Sequence, residues 1–185
     1  LGATHRELII QAAQKRFHQY GYSKVTMEEI AADIQTSKSA LYYHFADKNA
    51  IFREVLSLEQ RAFQDQTQQL ISNERCGSKR LKGYFAIILQ MLCRFQNLGV
   101  FDPSEARPAL HGLFADFIKE QKNQLLEILD SPDFIMERKS EIAELIIHLV
   151  QGLRIRQKVK EVSYEQFAAD IELLAEVLLN GIQRR

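Results

Sequence analysis

Residues 26–48 read TMEEIAADIQTSKSALYYHFADK. Thr26-Met-Glu-Glu29 has the spacing of a capping box, in which a hydroxyl and a carboxylate satisfy orphan backbone N–H groups at a helix start. Val25 and Ile30 stand as its hydrophobic staple. This spacing predicts a short helix from Met27 to about Ile34, then a tight connection at Gln35-Thr36. Ser37 can cap a third helix, also short, that ends near Phe45. Leu41 and Phe45, four residues apart, fall on one face and turn inward. Tyr42, Tyr43 and His44 cannot share that face, so the sequence places exposed aromatics on a short helix.

Upstream, Thr4-His-Arg-Glu7 is another capping box. It opens a helix with Leu8, Ile9, Ala12, Ala13, Phe17 and Tyr20 on one face. Gly21 stands where a left-handed residue ends it. Downstream, Asp47 caps a fourth, longer helix that runs to about Ile71. The polar run SNERCGSK at 72–79 reads as a boundary or hinge. Residues 79–97 are apolar nearly all round and are expected to be buried. Asp102-Pro103-Ser-Glu105 signals another helix start, 109–129 one or two helices, and DSPD at 130–133 a break. Two amphipathic helices close the chain. The first, about 137–158, carries Ile142, Leu145, Ile146, Leu149 and Leu153 on one side. The second starts at the capping box Ser163-Tyr-Glu-Gln166, stapled by Val162 and Phe167. Its stripe is Phe167, Ile171, Leu174, Ala175, Leu178 and Ile182.

Eight glycines and three prolines in 185 residues, with no extended β pattern, predict an all-α chain. The hydrophobic share of 46% is enough for a real core. A net charge of zero excludes a globally basic nucleic-acid binder but not a local basic surface. Cys76 and Cys93 make no disulfide framework, and no signal peptide opens the chain, so a cytoplasmic setting is expected. A start at Leu1 in place of Met is read as a missing N-terminus. The most apolar run, YFAIILQML at 84–92, is too short to span a bilayer, so no membrane partner is expected. His111, His148 and Cys93 have no metal-ligand spacing, and the two histidines read as core packing. RIRQKVK at 154–160 reads as a charged helix end favoured by the helix dipole. Nothing in the sequence implies a cofactor or a metal.

Two short helices joined by a tight turn and preceded by a third are the layout of a helix-turn-helix unit, whose second helix enters the major groove. The capped start of that helix presents N–H groups and a positive dipole end, both suited to phosphate. Ser37, Lys38 and Ser39 lie there and can donate to phosphates or base edges. Tyr42 and Tyr43 can hydrogen-bond phosphate and lay their rings on sugar or a thymine methyl.

The stretch FHQYGYSKVTMEEIAADIQTSKSALYYHFADKNAIFREVL (17–56) resembles the DNA-binding domain of TetR-family transcriptional repressors. Phe17, Gly21-Tyr22, Thr26, Ile30-Ala31, Ser37, Leu41-Tyr42-Tyr43-His44-Phe45 and Lys48 carry the resemblance. It implies a DNA-binding domain at 1–46 and a ligand-binding and dimerisation domain at 47–185, with helix 4 as connector. It implies that Ser37, Lys38 and Ser39 are the variable contacts, that Tyr42, Tyr43, His44 and Lys48 touch the DNA backbone, and that Thr26 sets a phosphate contact. Position 35, often small in that family, is Gln35, which the turn is expected to tolerate.

The function expected is a repressor that binds a palindromic operator in double-stranded DNA. It would act as a homodimer, paired through its last two helices, and a small apolar or aromatic effector would release it. Phe85, Met91, Phe95, Phe114 and Phe117 are the candidate pocket residues. Two alternatives stay open at this point. One is a DNA-bound adaptor that answers to a protein partner. The other is a helical enzyme, for which no nucleophile–base pair, carboxylate pair or phosphate loop is seen.

Overall fold

The computed structural model describes residues 4–98, 111–134, 137–159 and 162–182. Its eight helices among those residues are α1 (His5–Tyr20), α2 (Met27–Asp33), α3 (Lys38–His44), α4 (Lys48–Asn73), α5 (Gly77–Asn97), α6 (His111–Leu129), α7 (Lys139–Val159) and α8 (Tyr164–Ile182). The fold is all-α, with three helix-turn-helix helices first and a helical bundle after them.

Local chemistry explains most helix ends. Thr4 and Thr26 each cap their helix, and Glu7 and Glu29 return the bond to the cap N–H, so both capping boxes form as expected. Ser37 accepts from the Ala40 N–H at 3.2 Å, and Asp47 Oδ1 from the Ala50 N–H at 2.7 Å. Gly21 ends α1 at φ 81° and ψ 156°, a region open to glycine but hardly to other residues. The Ser163 hydroxyl takes the Gln166 N–H at 3.2 Å, while the Gln166 side chain turns to Asp170 and leaves that capping box half made.

The helices divide into two units. The described residues of 1–61 and 92–111 form the first, and those of 62–91 and 112–185 the second. In the first unit Ile9, Ala13, Phe17, Ile30, Leu41, Ile51, Phe52 and Val55 are fully buried. The Phe17 and Phe52 rings meet edge to face at 5.3 Å and tie α1 to α4. Leu8 and Tyr20, expected on the inner face of α1, are exposed, and Ile10 is buried in their place, since α1 is covered along the line of Ile9, Ala13 and Phe17.

The second unit departs from the sequence reading in three places. The run at 72–79 is a braced corner: Arg80 donates to the Ile71 and Glu74 carbonyls, and Glu74 accepts from the Cys76 N–H. Helix α5 is amphipathic, with Leu81, Tyr84, Phe85 and Ile88 buried but Lys79, Lys82, Ala86 and Gln90 exposed. Helix α7 buries Ala143, Ile146, Ile147 and Val150 and exposes Leu145 and Leu149, so its apolar residues form two faces. Helix α8 buries Phe167, Ile171, Ala175 and Leu179. The expected helix start at Asp102–Glu105 lies outside the described residues.

Candidate nucleic-acid interface

Helix α3 is held on its unit by Leu41 and Phe45, which are 0% and 4% exposed. Burying two such side chains stabilises by roughly 3–6 kcal/mol, enough to orient a helix of seven residues. The opposite side carries Tyr42 and Tyr43, 46% and 87% exposed, with Lys38 and Ser39 exposed beside them. A side chain as open as Tyr43 contributes little to folding, so its aromatic body and hydroxyl are available to a partner.

The turn before α3 is a Schellman motif. The Thr36 N–H donates to the Ala31 carbonyl at 3.0 Å and the Gln35 N–H to that of Ala32 at 3.1 Å. The motif needs a left-handed residue, and Gln35 supplies it at φ 53°. Across the turn, Arg16 forks onto Asp33, with its Nη2 2.7 Å from Oδ1, and locks α1 to the end of α2. The Arg16 guanidinium holds the Asp33 carboxyl below the usual carboxylate range. The Thr26 backbone N–H, then its hydroxyl, lower Glu29 in the same way.

Each residue singled out from sequence has a definite place. Thr26 is exposed and engaged as the α2 cap. Ser37 is the α3 cap, with its hydroxyl proton still able to donate. Lys38 pairs with Glu28 and lies 5.8 Å over the Tyr42 ring. Its charge at the start of the recognition helix is therefore matched by a carboxylate. His44 is half-buried, between the rings of His5 at 5.3 Å and Tyr43 at 5.1 Å, so it leans toward the start of α1.

Lys48 has an internal role that sequence reasoning did not assign. Its ammonium donates to the carbonyls of Tyr22 at 2.9 Å and Val25 at 2.7 Å, and it sits 4.1 Å from the centroid of the Tyr22 ring. The Tyr22 hydroxyl in turn donates to Asn49 Oδ1 at 2.7 Å. The first turn of α4 is thus fastened to the α1–α2 loop, which carries the Thr26 cap. Tyr22 and Asn49 lie 27 positions apart. No local pattern links them.

The pocket candidates divide. Phe95 belongs to the first unit, and Phe85, Met91, Phe114 and Phe117 to the second. Of these, Phe117 packs edge-on against Phe63 at 5.4 Å, which meets Tyr84 at 5.9 Å, and Tyr84 meets Phe85 at 6.0 Å. Tyr84 is fully buried, and its hydroxyl has no hydrogen-bond partner among the described residues. Burial pushes the Tyr84 phenol far above its ordinary range. His148, expected in the core, is exposed on α7. Among the described residues no group of three or more His, Cys, Asp or Glu side chains is placed to hold a metal, and no helix is long and apolar enough to cross a membrane.

Comparison with known proteins follows the same lines. The family described as "Bacterial regulatory proteins, tetR family" matches residues 9–55. The crystal structure of a transcriptional regulator from Cytophaga hutchinsonii ATCC 33406 is 30% identical in sequence, with a TM-score of 0.89 over 96% of this chain and 98% of that one. The HTH-type transcriptional regulator QacR of Staphylococcus aureus (strain Mu50 / ATCC 700699) is 33% identical over 79 residues, 43% of this chain and 41% of that protein. The match therefore spans less than half the length of that curated relative. SmeT, the repressor of the Stenotrophomonas maltophilia multidrug efflux pump SmeDEF, shares the fold at 16% identity, with a TM-score of 0.71 over 98% of this chain and 91% of that one. A SmeT-triclosan complex is also known.

The chain belongs to the TetR family of bacterial regulatory proteins. It is a DNA-binding transcriptional regulator of the helix-turn-helix type.

Proposed function

We propose that the protein is a repressor that binds a near-palindromic operator as a homodimer and leaves it when a small apolar or aromatic effector binds. The observation that carries the reading is the recognition helix itself. Helix α3 is anchored by Leu41 and presents Lys38, Ser39, Tyr42 and Tyr43 outward. In this reading residues 1–46 form the DNA-binding domain and 47–185 the effector and dimer domain, and the protein acts in the cytoplasm. Ser37, Lys38 and Ser39 meet base edges and nearby phosphates. Tyr42, Tyr43, His44 and Thr26 meet the backbone. Lys48 contributes mainly by holding the loop that presents Thr26.

The dimer reading is supported by apolar side chains that remain exposed among the described residues of α7 and α8. Leu145, Leu149 and Ile155 of α7 are exposed, as are Leu173 (58%) and Val177 (61%) of α8. Leu145 and Leu149, and likewise Leu173 and Val177, are four residues apart, about one helical turn. Gly152 and Gly181 meet nothing within 4 Å of an added Cβ among the described residues, so no packing there requires either to be glycine. Dimeric helix-turn-helix proteins set their recognition helices in successive major grooves, roughly 34–36 Å apart.

The effector reading is supported by the aromatic cluster of Phe63, Tyr84, Phe85 and Phe117, with buried polar atoms in the same unit that have no partner among the described residues. Besides Tyr84 Oη, these include Oε1 of Gln124, whose amide donates to the Gln64 carbonyl at 3.2 Å. Buried polar atoms are normally satisfied, and a ligand with an apolar body and a hydrogen-bonding group would satisfy these. A groove of about 490 Å³ elsewhere in the second unit is lined mainly by amides such as Gln66, Gln69 and Gln90. It suits an apolar effector less well. The SmeT-triclosan complex shows that a protein of this fold accepts an aromatic molecule.

Selection of bound sequences from a random DNA pool tests the operator: an inverted repeat with half-sites about one helical turn apart is expected. Recovery of no enriched sequence would refute the reading. Mass spectrometry of the native protein under gentle conditions tests the effector, with a small molecule retained on the dimer as the expected result.

A further inference from the structure

Helix α4 crosses from the first unit to the second between Arg61 and Ala62, and α5 crosses between Met91 and Leu92. Within the first unit a polar cluster lies next to both crossings. Glu59, two residues before the crossing on α4, is 4% exposed. Its Oε1 accepts from Gln14 Nε2 at 2.8 Å and from His18 Nε2 at 2.9 Å, and Arg94 Nε lies 3.8 Å from Oε2. His18 Nδ1 lies 3.1 Å from the Arg94 carbonyl. That carbonyl belongs to the last turn of α5, where the Leu98 N–H bonds to the Phe95 carbonyl. Both neighbours of the imidazole are hydrogen-bond acceptors, so the ring bridges Glu59 on α4 and the Arg94 carbonyl on α5.

Two residues of α1, one turn apart, thus hold α4 and the last turn of α5. The link differs in kind from apolar packing. A methyl group can slide along another at small cost. A buried carboxylate parted from its donors is left as an uncompensated charge, so the arrangement has a strongly preferred geometry. Glu59 is poised accordingly: burial alone would raise its carboxyl, but the bonds from His18 and Gln14 and the charges of His18 and Arg94 bring it below the ordinary glutamate range.

We propose that His18, Gln14 and Glu59 form the joint through which α4 and α5 set the orientation of the DNA-binding helices, with His18 as the positioning residue. None of the three touches DNA in the reading above. Their effect is on the spacing of the two recognition helices in a dimer, so the proposal rests on the dimeric repressor reading. A shift of α4 against α5, from any cause, is felt by α1 through this cluster.

The test replaces the joint by apolar packing, which commonly preserves stability. In a cysteine-free background with a spin label at Lys24→Cys, the wild-type dimer is expected to give a narrow label-to-label distance distribution. The pair His18→Leu/Glu59→Leu should broaden it. The same pair should lower the preference for a full operator over a single half-site about tenfold, with half-site affinity unchanged. A distribution and preference equal to wild type would overturn the proposal. The isosteric Glu59→Gln supplies the same two readouts if the double variant does not fold. Absence of any label-to-label distance, or of a full-site preference, in the wild type would instead refute the dimeric reading, which keeps the two failures apart.

Discussion

Gln35 offers a quantitative test of the helix-turn-helix geometry. Its φ of 53° is left-handed, and its side chain is exposed. A left-handed conformation costs a residue with a Cβ about 1–2 kcal/mol, which glycine avoids. Glycine has the greater unfolded-state freedom, which takes back about 0.5–1 kcal/mol. No packing is lost with an exposed side chain, and both bonds of the Schellman motif run through the backbone, so they survive the change. Gln35→Gly should therefore stabilise the protein by about 0.5–1 kcal/mol, a rise in melting temperature of about 1–4 °C for a chain of this size. Gln35→Ala retains the Cβ and should stay within about 0.5 kcal/mol of wild type. Calorimetry and urea unfolding on the three proteins, at one protein concentration, measure the difference. A Gln35→Gly variant that is no more stable than Gln35→Ala would refute the reasoning, because the Cβ would then carry no strain at this position.

Other expectations concern binding, assembly and pH. Tyr42→Ala should weaken operator binding about 5- to 150-fold, roughly 1–3 kcal/mol, while unfolding changes little; a gel-shift titration beside a melting curve checks both. Lys48→Ala removes two charge-assisted bonds to the α1–α2 loop and should cost about 1–2 kcal/mol of stability. It should weaken binding to every DNA with the salt slope unchanged, whereas a slope smaller by about one would assign Lys48 a direct phosphate contact. Leu173→Glu with Val177→Glu should yield a folded monomer by sedimentation, since both side chains are exposed in the single chain. Glu59, Glu29 and Asp33 all have lowered carboxyl pKa values in the fold. Their stabilisation is therefore complete above the ordinary carboxylate range, near about 4, and is lost as pH falls through the depressed values. Urea midpoints from pH 7 to pH 3 should fall mainly at the acid end, and less steeply for Glu59→Gln.

Much of the first unit was legible because its signals are local. A capping box acts over three residues, so Thr4 with Glu7 and Thr26 with Glu29 announce α1 and α2 wherever the rest of the chain goes. Leu41 and Phe45 sort themselves inward at a spacing of four, and what remains on α3 must face out. The second unit was less legible. The apolar residues of α7 look like one wide stripe in sequence, but burial of Ile146 and Val150 with exposure of Leu145 and Leu149 depends on where neighbouring helices stop covering it. The same holds for α5, where Lys79, Lys82 and Gln90 mark an outer face among many apolar residues.

By itself, then, the sequence determined the all-helical class, the ends of the first helices and the outward side of α3, because each depends on hydrogen bonds or periodicities within a few residues. Tertiary structure decided the rest. It gave Lys48 two carbonyls more than 20 positions away and set Glu59 on His18, 41 positions apart. It also required Gln35 to adopt a glycine-like conformation. A charged side chain carries no mark of which distant partner it will meet, since that depends on how the chain closes on itself. Lys48 and Glu59 could be seen in the sequence as charges, but only the closed fold made one a brace for the recognition domain and the other the centre of its joint.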